Sequence, residues 1–347
     1  MPRILVNVSV VLFVGISVIF SPLHASGQTV AVGTCRPRLV SYSTISAAVA
    51  AATPNSTVLV CPGTYPEQVT ITQGLTLEGV QGGTGGNPVI TVPSGGLALN
   101  DMSQATQLSA ERPEGGLSGP INISNLIVDG SGSGFDCSTG TLVGVSYQSA
   151  DGTLNNVEVR NQEPGGCGYG IWAYAFNSSN TVNIRNSSIH DFDDIGIYAA
   201  NVENGIVLNV CSSLVATAST SAQAGINYYF YAVGLPRDNT IVMAGGTGLW
   251  LENLDQMTAK GNTIIGANVG ILSDVTDNSL IQNSLLENGT GIAVACSLQP
   301  TLLHNIISNS PLGIANAASG DTINRNIFYR VTTLTTGCPK ETSTSQH

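Results

Sequence analysis

The sequence predicts an all-β chain: a right-handed parallel β-helix, a solenoid of about 22-residue coils with a short N-terminal capping helix. Three observations predict it. A glycine followed by an aliphatic residue recurs at Gly144-Val145, Gly170-Ile171, Gly196-Ile197, Gly225-Ile226, Gly248-Leu249, Gly270-Ile271, Gly291-Ile292 and Gly313-Ile314, at intervals of 26, 26, 29, 23, 22, 21 and 22 residues. An asparagine precedes a short aliphatic segment in phase with that series at Asn239, Asn262, Asn283, Asn305 and Asn326, at intervals of 23, 21, 22 and 21. Helical periodicity is absent from the same region. A coil of this length has room for three short strands and three turns, but not for two helices and their connections. Leucine-rich repeats share the period but need a denser leucine ladder than these coils carry. Asparagine suits the turns because it tolerates left-handed backbone and can bond to its counterpart one coil away.

The elements follow in chain order. Residues 1–25 have the anatomy of a secretory signal: Arg3, an uncharged and mostly apolar run over 4–20, then Pro22-Leu23-His24-Ala25 before Ser26. The alternative is an uncleaved anchor, for which the run sits at the short end of what spans a bilayer. Cleavage implies a secreted protein, extracellular or periplasmic, with no membrane attachment. Residues 26–338 are expected to form one β-helix domain, although the length would allow two domains. Within it, residues 44–53 place Ile45, Ala48, Val49 and Ala52 on one helical face, and Pro54 stops the helix. Such a helix would cover the open end of the stack. A first strand over 57–61 and a turn at Pro62-Gly63-Thr64-Tyr65 come next. Residues 80–119 break the period with Gly82-Gly83-Thr84-Gly85-Gly86 and a polar run, and are expected to be an irregular insertion. Residues 339–347 read as a polar tail.

An exported chain can carry disulfides. Spacing points to Cys35 with Cys61 and Cys137 with Cys167, and Cys296 can reach Cys338 if the C-terminal segment folds back. Cys211, in an apolar run, is left as a buried thiol. The chain has 11 Lys+Arg against 22 Asp+Glu, a net charge of −11. Two lysines and nine scattered arginines cannot build the basic face that phosphate recognition needs, so nucleic acid is excluded. A monomer is expected, and no cofactor is called for.

Residues 44–79, with Val60-Cys61-Pro62-Gly63-Thr64-Tyr65-Pro66-Glu67 and Val69-Thr70-Ile71 at their centre, resemble the opening of pectin-lyase-like β-helix proteins. They are especially similar to the G-x-Y-x-E start of pectin methylesterases. The later N-x-I and G-I coils resemble the repeat found across that superfamily. The resemblance implies the fold and stops short of one chemistry. Asp191-Phe192-Asp193-Asp194-Ile195-Gly196 has one residue too many for the methylesterase D-F-x-x-G, and Asp193-Asp194 matches only the paired aspartates of polygalacturonases, without G-H-G or R-I-K. The arginine segment of pectate lyases and the D-P-H-D of alginate epimerases are missing as well.

Two sets of residues remain as site candidates. Stacking places Arg160 and Glu163 of one coil beside His190, Asp191, Asp193 and Asp194 of the next, about 4.8 Å away. His190, Asp191, Asp193, Asp194 and Arg160 are therefore the expected catalytic set, with His190 shuttling a proton and Arg160 holding a carboxylate. A solvated acidic turn is the competing reading. Ca²⁺ is the cation whose preference for oxygen ligands would suit Asp191, Asp193 and Asp194. Strand alternation then sends the residue after each glycine-aliphatic pair outward, giving Trp172, Tyr198, Asn227 and Trp250 in one row, with Tyr174, Tyr229, Glu252 and Asp274 two places on. Trp172, Tyr174, Tyr198, Tyr229, Trp250 and Glu252 are the expected substrate-binding residues, aromatic faces flanked by carboxylate being suited to sugar rings. The functional expectation is binding or degradation of an extracellular polysaccharide in a groove along the solenoid, a glycoside hydrolase or polysaccharide lyase if catalytic. The alternative is a non-catalytic surface or adhesion β-helix that binds glycan or protein. The acid excess favours a neutral glycan over a polyuronate.

Overall fold

The computed structural model describes residues 27–338 apart from 82–85, 113–118, 177–178 and 202–204. The expected leader (1–25) and polar tail (339–347) lie outside the described residues. The strands stack as three sheets of 13, 11 and 11, and the order within each sheet skips two strands of the chain at every step over most of its length. Each coil therefore gives one strand to each sheet, paired in parallel with the next coil. This is the expected right-handed parallel β-helix, of the hand that parallel crossovers almost always take.

Rows of aliphatic side chains fill the interior. Ile171, Ile197, Ile226, Leu249, Ile271, Ile292 and Ile314 form one such row in the third sheet, all fully buried. Val159, Ile189, Val215, Ile241, Ile264, Leu285 and Ile307 form its counterpart in the second. The two sheets meet at a corner where the repeating glycine sits. A Cβ at Gly248 would lie 2.3 Å from Ile264 Cγ2 and 2.7 Å from the Gly270 carbonyl oxygen, so no side chain fits. The asparagine series is a buried ladder. Asn262 donates from N and Nδ2 to Asn283 Oδ1 at 3.0 Å each, and Asn283 repeats this toward Asn305 at 2.9 and 3.0 Å.

The capping helix spans Ile45–Ala51, with Thr44 Oγ1 accepting from Ala47 N at 3.1 Å. Glu67 completes the cap: its carboxylate accepts from the backbone N–H of Ile45 and Ser46 at 2.8 and 2.9 Å. Tyr65 Oη donates to the Cys61 carbonyl at 2.8 Å. The Gly63-Thr64-Tyr65-Pro66-Glu67 signature is thus a clamp between the first coil and the helix N-terminus, where a carboxylate also meets the positive end of the helix dipole.

Two expectations need correction. The first sheet begins before the helix, with Thr29–Val32 paired to Ser56–Val60, a strand too short and too close to the leader to stand out in sequence. Residues 80–119 are not simply an insertion: Val89–Thr91 joins the second sheet and Gln104–Glu111 the third, in register with the coils on either side. That coil was illegible because Gln104–Glu111 is polar in composition yet almost wholly buried. Gln107 shows how: its Nε2 donates to the carbonyls of Ile90 and Asp129 at 2.9 and 3.0 Å.

Disulfides join Cys35 to Cys61, Cys137 to Cys167 and Cys296 to Cys338, and Cys211 is free and buried. No helix among the described residues is long and apolar enough to cross a membrane.

Candidate functional site

The expected catalytic set divides between two faces. Arg160 and His190 are register partners on the outer face of the second sheet, where Asp129 precedes them in the same row. Arg160 donates to Asp129 Oδ2 at 2.9 Å and to Glu158 Oε1 at 2.7 Å. His190 sits with Nε2 3.3 Å from Glu158 Oε1 and Nδ1 2.7 Å from Asp191 Oδ2. Burial alone would raise Asp129, but hydrogen bonds from Asn161, Ser131 and Arg160 outweigh it and hold its carboxyl at about 2. Arg160 is paired with both Asp129 and Glu158, and the network ties adjacent coils together.

Asp191 turns the chain from the second sheet to the third at φ 56°, as Asn161 does one coil earlier at φ 59°. Short polar side chains tolerate this left-handed conformation. Asp193 is a staple: its carboxylate accepts from Gly165 N at 2.5 Å and Gly168 N at 2.7 Å, fixing the loop that carries Cys167. With Asp193 committed to backbone and Asp191 turned to His190, the three aspartates do not converge, and no group of three potential metal-ligating side chains occurs among the described residues. The residues do not fit the Ca²⁺ considered from sequence.

Asp194 alone of the set faces the third sheet. Burial pushes its carboxyl up and neighbouring Asp193 adds to this, while the Tyr169 hydroxyl and Gln223 pull the other way. Tyr169 belongs to an aromatic cluster whose ring centroids lie 4.5 Å from Trp172 and 5.9 Å from Tyr198, with Trp172 and Tyr198 4.8 Å apart edge to face. Its burial and the charge of Asp194 raise the Tyr169 hydroxyl as well.

The outward rows of the third sheet run as expected. Ser109, Ser146, Trp172, Tyr198, Asn227 and Trp250 are successive register partners, and so are Glu111, Gln148, Tyr174, Ala200, Tyr229 and Glu252. Asp274 extends the second row, because it follows the Leu251 and Ser273 pair. Between these rows lies a cleft of about 370 Å³ lined by Trp172, Tyr174, Tyr198, Ala200, Tyr229 and Tyr231 among others. Ala200 makes the space. It stands between Tyr174 and Tyr229 in the row, so the backbones of those two residues are two coils, about 9.6 Å, apart along the axis.

The second row also carries unpartnered polar atoms. Gln148 Nε2, Tyr174 Oη and Asp274 Oδ1 are buried without a hydrogen-bond partner among the described residues, and Tyr174 is only 6% exposed. Of these three residues Tyr174 lines the cleft, and other buried polar atoms without a partner, such as Gln162 Oε1 and Asp321 Oδ1, lie outside this row. At its C-terminal end, burial raises the Glu252 carboxyl and the Asp274 charge adds to it, against a hydrogen bond from Asn227 Nδ2 at 3.2 Å. Burial raises Asp274 too, opposed by Trp250 Nε1 donating to Oδ2 at 3.3 Å.

Of the six residues expected to bind substrate, Trp172, Tyr174, Tyr198 and Tyr229 line the cleft, whereas Trp250 and Glu252 stand in the same rows but are not among its lining residues; Asp274 was noted in sequence without a role. Sequence reasoning overlooked Tyr169, Tyr231 and the space above Ala200. A small residue between two tyrosines in an outward row was the available signal for that space.

The right handed beta helix region family matches residues 169–328. No curated protein matches the chain by sequence. Among solved structures, the GH136 lacto-N-biosidase from Eubacterium ramulus is similar at 11% identity with a TM-score of 0.56, covering 87% of this chain and 68% of that one. The pectate lyase Pel9A follows at 14% identity and TM-score 0.48, covering 91% and 79%. The alginate lyase from Paenibacillus sp. str. FPU-7 has 12% identity and TM-score 0.46, covering 87% and 98%. The likeness to the lacto-N-biosidase is one of fold.

Proposed function

We propose that this right-handed parallel β-helix, of the pectin-lyase-like superfamily, binds a neutral glycan in the aromatic cleft on the outer face of its third sheet. The reading rests on one observation: the cleft between Tyr174 and Tyr229 is aromatic across its walls, and the same row holds unpartnered buried polar atoms. Sugars present both complements, apolar faces for the rings and hydroxyls for the orphaned donors and acceptors. Charge selects among glycans. Asp194, Glu252 and Asp274 face this side, no lysine or arginine lines the cleft, and the chain carries a net charge of −11, so a polyuronate is repelled. Three disulfides suit an oxidising compartment outside the cytosol, where such glycans occur.

Titration calorimetry against neutral hexose and N-acetylhexosamine oligosaccharides, with oligouronates alongside, tests the proposal. Binding of a neutral oligomer is expected. Trp172→Ala should weaken it at least about tenfold, near 1.4 kcal/mol. Tyr174→Phe should weaken it roughly fivefold, and the free protein should be at least as stable as the parent, because the hydroxyl removed is buried and has no partner among the described residues. Absence of binding to every member of the panel, or a Tyr174→Phe variant that binds as the parent does, would sink the assignment.

A further inference from the structure

We propose that the cleft takes a neutral glycan bearing an apolar substituent, an alkyl, acyl or aryl group that seats on a rim formed by Phe230 and Tyr231. This rests on the glycan reading above and narrows its ligand class. Phe230 and Tyr231 both line the cleft, and no residue lining it carries a charge. Phe230 is 43% exposed and Tyr231 38%.

Phe230 departs from the pattern of its own row. It is the register partner of Asn201 and Asn253, with Ala175 one coil before Asn201 in the same row. Those three side chains are turned into the protein and buried, whereas Phe230 is turned out. The backbone is the cause. Ala232 N donates to the Tyr229 carbonyl at 3.1 Å, closing a turn in which Phe230 takes φ 54°. Glycine, asparagine and aspartate dominate such turn positions, because a bulky side chain is strained in left-handed backbone. The chain thus accepts strain in order to carry a phenyl ring out of an inward row, and outliers of this kind gather at ligand sites.

The exposed ring is set against the cleft wall. Its centroid lies 4.3 Å from that of Tyr229, edge to face, and on the opposite wall Phe176 stands 4.3 Å from Tyr174 in the same manner. Phe176 and Phe230 are the two exposed phenylalanines among the described residues, and each buttresses one wall. Ala200 and Asn201 line the space between. The cleft changes character along its strands. At their starts Tyr169 is hydrogen-bonded to Asp194, and Asn227 to Glu252 at 3.2 Å, while their ends carry the phenyl rings. An amphipathic glycoside matches that gradient. Three exposed aromatic rings contiguous with a cleft mark a contact surface rather than the scattered apolar residues of any protein exterior, and a substituent laid on them removes apolar area from water on both partners.

Calorimetry with methyl, hexyl and phenyl glycosides of the neutral sugars, and with 1-hexanol and phenol as sugar-free arms, tests this on the wild-type chain and on Phe230→Asn. The added methylenes of the hexyl glycoside, even partly buried, should tighten binding at least about tenfold over the methyl glycoside. The phenyl glycoside should also exceed the methyl, and whichever gain is larger names the substituent as aliphatic or aryl. In Phe230→Asn both gains should shrink to about threefold or less. That variant should melt no lower than the parent, since asparagine suits left-handed backbone and already occupies the row at Asn201 and Asn253. Methyl and hexyl glycosides binding equally to the wild type, or gains that survive in Phe230→Asn, would overturn the rim and leave the glycan reading standing. 1-Hexanol binding as tightly as the hexyl glycoside would overturn the glycan reading, and this ligand class with it.

Discussion

Replacing Asn283 by alanine would remove four side-chain hydrogen bonds from the middle of the buried ladder. Its Oδ1 accepts from Asn262 N and Nδ2, and its Nδ2 donates to the Ala259 carbonyl and to Asn305 Oδ1. Not all of these losses are equal. Asn262 Nδ2 keeps the Pro236 carbonyl at 2.9 Å and Asn305 Oδ1 keeps Asn283 N, but the Asn262 N–H loses its acceptor in a site with no solvent exposure. An unsatisfied buried donor costs about 1–3 kcal/mol, and each bond lost with its partner still served costs about 0.5–1.5. Together the one unsatisfied donor and the three other bonds come to about 2.5–7.5 kcal/mol. Asn326, at the C-terminal end of the ladder, accepts from Asn305 in the same way, but its bonds are only part-buried. Water can replace it, so Asn326→Ala should cost about 1 kcal/mol. Guanidinium unfolding read by circular dichroism gives both numbers, and hydrogen exchange at the Asn262 amide reports the local opening directly. A loss below about 1 kcal/mol for Asn283→Ala, or equal losses at the two positions, would refute the view that the ladder is held by buried, mutually satisfying amides.

Two further outcomes follow from the same geometry. Gly248→Ala sets a Cβ 2.3 Å from Ile264 Cγ2 and 2.7 Å from a backbone oxygen, whereas Gly95→Ala meets nothing within 4 Å; thermal denaturation should show about 1–3 kcal/mol lost for the first and under about 0.5 for the second. The depressed carboxyl of Asp129, near 2 against an ordinary 3.8, contributes stability that is present above about pH 4 and lost as pH falls toward 2. Asp129→Asn should therefore destabilise the protein at neutral pH, by about 1.5 kcal/mol given the part-exposed Arg160, and should flatten the decline in acid-unfolding curves between pH 4 and 2.

The fold was legible because a solenoid writes its geometry into the chain at a fixed period. A corner too tight for a side chain demands glycine in every coil, and a buried turn demands asparagine, so Gly248 and Asn283 each stand for a row. Even the outward rows could be counted from the alternation that follows each glycine, which is why Trp172, Tyr198 and Trp250 fell into one line. The coil containing Gln104–Glu111 escaped notice because its buried side chains are largely polar, and contacts such as Gln107 Nε2 to the Ile90 and Asp129 carbonyls leave no pattern of hydrophobicity.

The site was harder, for a different physical reason. Composition shows that Asp191, Asp193 and Asp194 are close in sequence, but the chain turns a corner between them, and each consecutive carboxylate meets a different neighbour: His190, the Gly165 and Gly168 amides, and Tyr169. Proximity along the chain does not carry over to proximity on a face when the backbone changes sheet. Glu252 and Asp274, separated by a full coil, are neighbours because parallel register brings equivalent positions to one rise of the helix. What the sequence by itself determined is the period, the interior rows and the identity of the outward rows, since these repeat. Which side chains pair, which polar atoms remain unpaired, and where Ala200 opens a cleft were decided only by the tertiary structure, because they depend on single contacts between coils.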